Sequence, residues 1–125
     1  MNLAHLLARS ARTFPDRLAV FLGERLLLDY RALASRVACI AGHRRNELKL
    51  ASGDRVVIFM RNRPEYLELL YGIWSAGRVA VQINAKLDPK KPARTIGNAP
   101  ARVIHGLHRA GTSTWTSRAP IRACT

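Results

Sequence analysis

Apolar and polar positions change period several times along the 125 residues, and each change predicts an element. Leu3, Leu6, Leu7 and Ala11 recur at helical spacing and predict a helix over about residues 3–12, capped by Asn2. Phe14-Pro15-Asp16 breaks it. Two short apolar runs, 18–22 and 25–28, flank Gly23-Glu24 and predict strands joined by a hairpin turn. Asp29 then caps a helix over about 30–48, with Leu33, Val37, Ile40 and Ala41 as its inner face. Cys39 falls in the same helix and is read as buried packing.

Beyond the turn at Ala51-Ser52-Gly53-Asp54, residues 56–60 are continuously apolar. Such a run suits a parallel strand covered on both faces. Pro64 and Glu65 open a further helix that runs to Ala76, because proline is tolerated in a first turn and an acid suits the positive end of the helix dipole. Gly77 stops it, and residues 78–83 predict a second buried strand. The unit over 55–83 is therefore a right-handed βαβ crossover. Asp88-Pro89 can cap one more helix, but Pro92, Gly97 and Pro100 interrupt it. The fold class expected is α/β, a small β-hairpin followed by parallel βαβ layers, with an irregular tail.

Composition adds limits. Apolar residues make up 48% of the chain, enough for one packed core, and no apolar run approaches the roughly 20 residues that span a bilayer. The two cysteines, Cys39 and Cys124, form no metal-ligand pattern, and Cys124 is expected to be free. The first 17 residues combine leucines with Arg9, Arg12 and Arg17, the composition of a mitochondrial presequence as well as of an ordinary surface helix. The latter is preferred, and the expected compartment is the cytoplasm.

The formal net charge is +13. Residues 1–88 hold 14 basic and 8 acidic residues, whereas 89–125 hold 7 basic and no acidic ones. The excess is thus concentrated in the last 37 residues. A basic balance attracts polyanions non-specifically. No RNP motif, zinc finger or basic–aromatic stripe accompanies it, so no specific nucleic acid is expected.

Several segments resemble one family in order and spacing. Leu28-Asp29-Tyr30-Arg31-Ala32-Leu33 is similar to a helix start, and Ser52-Gly53-Asp54-Arg55-Val56 to a Gly-Asp-Arg-Val turn into a strand. Asn62-Arg63-Pro64-Glu65-Tyr66, with Gly72-Ile73-Trp74-Ser75-Ala76-Gly77, is similar to a single helix of that family. Val81-Gln82-Ile83-Asn84-Ala85-Lys86-Leu87 is similar to the strand end that follows. Together they resemble the N-terminal part of AMP-forming acyl-CoA synthetases, the adenylate-forming ligases that act on fatty and aryl acids. The resemblance is clear over residues 1–87, keeps a trace at 101–104, and stops after Ile104.

The resemblance implies ATP, Mg²⁺, a carboxylic acid and coenzyme A for the parental enzyme. The acid attacks the α-phosphate to give an acyl-adenylate, and the CoA thiol displaces AMP. That chemistry needs a Ser/Thr/Gly phosphate loop ending in Pro-Lys-Gly, which the sequence lacks. Residues 112–117 have hydroxyls but no glycine, and Trp115 stands where a tight turn needs one. Gly53, Pro64, Gly77 and Asn84 are read as scaffold. No residue is assigned a catalytic, cofactor-binding or metal-binding role, and none of the cofactors is expected to bind this chain.

The domain expectation is a partial N-terminal subdomain over 1–104 and a poorly ordered tail, read out of frame, over 105–125. Three functions are weighed. The first is an inactive synthetase fragment. The second is an interaction piece that completes or regulates a separate synthetase chain, or self-associates, through an exposed sheet edge. The third is a small basic non-specific nucleic-acid binder.

Overall fold

The computed structural model describes residues 2–47, 51–60, 63–84 and 101–105. The helix expected after Asp88, the tail beyond His105, and Cys124 lie outside the described residues. In chain order the elements are α1 (Ala4–Thr13), β1 (Leu18–Leu22), β2 (Arg25–Asp29), α2 (Tyr30–Glu47), β3 (Arg55–Met60), α3 (Pro64–Ser75), β4 (Val79–Asn84) and β5 (Ala101–His105).

Asn2 serves both ends of a helix pair. Its Oδ1 accepts a hydrogen bond from the Ala4 N–H at 3.0 Å, at the start of α1. Its Nδ2 donates to the Trp74 carbonyl at 2.6 Å, at the end of α3. The buried stripe of α1 differs from the expectation. Ala4 and Leu7 are buried, whereas Leu3 and Leu6 are exposed. Helical spacing puts positions 4, 7 and 11 on one line, and that line faces the neighbouring helices.

The hairpin turns at Gly23, whose φ of 62° is a left-handed conformation that glycine adopts without penalty. Val20 faces Leu28 across the ladder and is buried, while the pair Phe21–Leu26 is exposed. Two backbone bonds fasten this unit to the start of α2: the Tyr30 N–H donates to the Arg17 carbonyl and the Arg31 N–H to the Pro15 carbonyl, each at 3.0 Å. Asp29 caps α2 as expected, its Oδ1 accepting from the Ala32 N–H at 2.7 Å.

On α2, Leu33, Val37 and Ile40 are buried. Cys39 is exposed, which corrects the expectation of buried packing. The reason is angular. Leu33, Val37 and Ile40 share a stripe, and a residue next to Ile40 points about 100° away from it.

The larger sheet has the order β4-β3-β5, with both pairs parallel. The βαβ unit from β3 through α3 to β4 therefore forms as the sequence indicates. β5 adds on the opposite side of β3 and runs one residue past the expected Ile104. Val56, Val57 and Ile58 are buried in succession, so both faces of the central strand are covered. Ile40, Val56, Ile58, Leu69, Leu70 and Ile73 make one core between sheet and helices. Leu7, Val20, Leu33 and Val37 make a second between α1, the hairpin and α2.

Candidate functional site

A parallel sheet has two chemically different ends. At the amino end of β3 and β4 the backbone is tied down. Gly53 (φ 83°) and Gly77 (φ 70°) turn the chain there, and the Gly53 N–H donates to the Gly77 carbonyl at 2.9 Å. The Val79 N–H donates to the Asp54 carbonyl at 2.9 Å, and Asp54 Oδ2 accepts from the Ala51 N–H at 2.8 Å. Pro64 occupies the first turn of α3. Gly53 and Gly77 are thus part of the turns that lead into these two strands.

Ligands of open parallel sheets bind beyond the carboxyl ends of the strands. Here that end is defined by Met60 and Asn84, which face each other in register, and by His105, which pairs opposite Ile58. Asn84, read as a brace for the loop after its strand, stands at the last position of β4. This edge is the candidate site. The segments that leave it, 61–62, 85–100 and 106–125, lie outside the described residues.

The titratable group with the most unusual surroundings lies elsewhere, between α2 and α3. Glu68 is 2% exposed. It accepts a hydrogen bond from Arg36 Nε at 3.0 Å, an ion pair joining the two helices. Burial raises its pKa above the usual carboxylate value, the Arg36 charge and hydrogen bond oppose that rise, and Glu65 adds to it. Glu65 Oε2 is buried without a hydrogen-bond partner. Tyr66 is also raised, by burial. Sequence reasoning missed Glu68. The signal was present, because an acid between Leu67 and Leu69-Leu70 on a core-facing helix requires a partner. The arrangement joins two helices.

Among the described residues no group of three or more His, Cys, Asp or Glu side chains could hold a metal ion. The sequence has no Pro-Lys-Gly phosphate loop. No step of an adenylation is assigned to these side chains.

The combination of a parallel β4-β3-β5 sheet, a preceding hairpin and glycine-turned strand starts matches a known class. The chain belongs to the AMP-binding enzyme family, which it matches over residues 7–122. The match extends past Ile104, where no further motif was recognised in the sequence. A long-chain-fatty-acid–CoA ligase of Haemophilus influenzae is 33% identical over 90 residues, covering 72% of this chain and 16% of the relative. A ligase of the same description from Salmonella typhimurium is 30% identical over 104 residues, covering 82% of this chain and 18% of the relative.

Among solved structures, the N-terminal subdomain of Klebsiella oxytoca NpsA, in complex with 3-hydroxybenzoyl-AMSN, superposes with a TM-score of 0.84 at 25% identity. That match covers 99% of this chain and 32% of the other. A Mycobacterium tuberculosis fatty acyl CoA synthetase superposes with a TM-score of 0.73 at 26% identity, covering 84% of this chain and 21% of the other. The chain thus spans less than a fifth of the length of the two long-chain ligases and about a third of the NpsA subdomain. No helix among the described residues is long and apolar enough to cross a membrane.

Proposed function

We propose that these 125 residues are the opening scaffold of an AMP-forming acyl-CoA ligase and catalyse nothing alone. The parental reaction converts a carboxylic acid, ATP and CoA into acyl-CoA, AMP and pyrophosphate. The relatives' descriptions favour a long-chain fatty acid as the acid. One observation carries the reading. The amino ends of β3 and β4 are tied to each other by backbone hydrogen bonds, while the sequence has no Pro-Lys-Gly phosphate loop for the carboxyl end, where ligands of such sheets bind. The residues present therefore position strands for a site that needs further residues.

The partner implied is the rest of a ligase, in the same polypeptide or in a second one, meeting the β4-β3-β5 sheet along its edge. An ATP–pyrophosphate exchange assay on the 125 residues, across short-, medium- and long-chain acids, tests the catalytic half of the proposal. Exchange at background is expected for every acid. Acid-dependent exchange above background overturns it. Co-purification with a polypeptide bearing a Ser/Thr/Gly loop and Pro-Lys-Gly is expected if the missing residues come from a second chain.

A further inference from the structure

We draw no further inference here: the strongest candidate, the cluster of exposed apolar side chains on the β1–β2 hairpin (Leu18, Phe21, Leu22 and Leu26), has balanced charges around it (Arg17, Arg25 and Arg31 against Asp16, Glu24 and Asp29), and nothing in the structure shows what covers it.

Discussion

Replacing Gly72 by alanine separates helix propensity from packing at one atom. Gly72 lies inside α3 and is buried against α2. A Cβ built there meets Ile40 Cγ2 at 2.7 Å and Ile40 Cβ at 3.2 Å. Ile40 is 5% exposed, and a β-branched side chain in a helix has essentially one χ1 rotamer, so the methyl cannot swing aside. Overpacking of this kind costs about 1–3 kcal/mol. Helix propensity offsets roughly 1 kcal/mol of it, since alanine is the better helix former. The net expectation is a loss of about 1 kcal/mol.

Ile40→Leu moves the branch from Cβ to Cγ and removes the clashing methyl at nearly constant volume. In that background Gly72→Ala is expected to become neutral or stabilising, a coupling of about 1–2 kcal/mol between the sites. Pulse proteolysis along a urea series, at low protein concentration, reads the folded fraction of all four variants. If Gly72→Ala stabilises the unmodified chain, or costs the same in the Ile40→Leu background, the close helix contact is wrong.

Three further outcomes follow from the same structure. Because burial raises the folded pKa of Glu68 above its ordinary value near 4.5, its ionisation weakens the fold. Its contribution is fully present below the unfolded pKa and is lost as pH rises through the raised folded value. Glu68→Gln should therefore gain stability relative to the parent as pH rises above the ordinary value near 4.5, and a relative loss on that rise would reverse the sign assigned here. Asp29→Ala removes the acceptor of the Ala32 N–H and should cost about 1 kcal/mol, while Asp29→Asn should recover most of it; equal losses in the same urea series would deny a capping role. The 125 residues made alone should bind a hydrophobic dye, self-associate and melt broadly, because Leu18, Phe21, Leu22 and Leu26 are between 45% and 60% exposed. A sharp calorimetric transition from a monomer would contradict that.

Local rules made most of the framework readable. The run of five apolar residues after Arg55 fixed β3 to the residue, because a strand buried on both faces leaves no polar position to blur its limits. Asp29, Gly23 and Gly77 did the same for a cap and two turns, since each residue type has one strong local reason to be there. Where the outcome depended on which side a neighbouring element packs, the sequence was ambiguous. Leu3 and Leu6 are as apolar as Leu7, yet only Leu7 meets the second core. Cys39 went astray for the same reason.

The Arg36–Glu68 pair joins residues 32 positions apart, and no local pattern indicates which arginine a buried acid will find. The placement of β5 beside β3 is likewise a long-range choice, since four residues of strand pattern do not name their neighbour. The candidate site was the least readable part. Its frame is three strand ends, whose alignment is a property of pairing and not of any one motif.

The central position of β3 also orders events in time. Arg55 pairs with Val79 on one side and with Ala101 on the other, at nearly twice the sequence distance. Each doubling of a closed loop adds only about 0.6 kcal/mol of entropy, so the difference in stability is small. On a ribosome, however, chain length is elapsed time. The β3–α3–β4 unit is available to close before residue 101 has been synthesised, and β5 then joins a template that already exists. Amide exchange on ribosome-bound chains of stepped length should accordingly find residues 79–84 protected before residues 101–105 have emerged, and protection of 79–84 only after 101–105 have emerged would rule out that sequence of assembly.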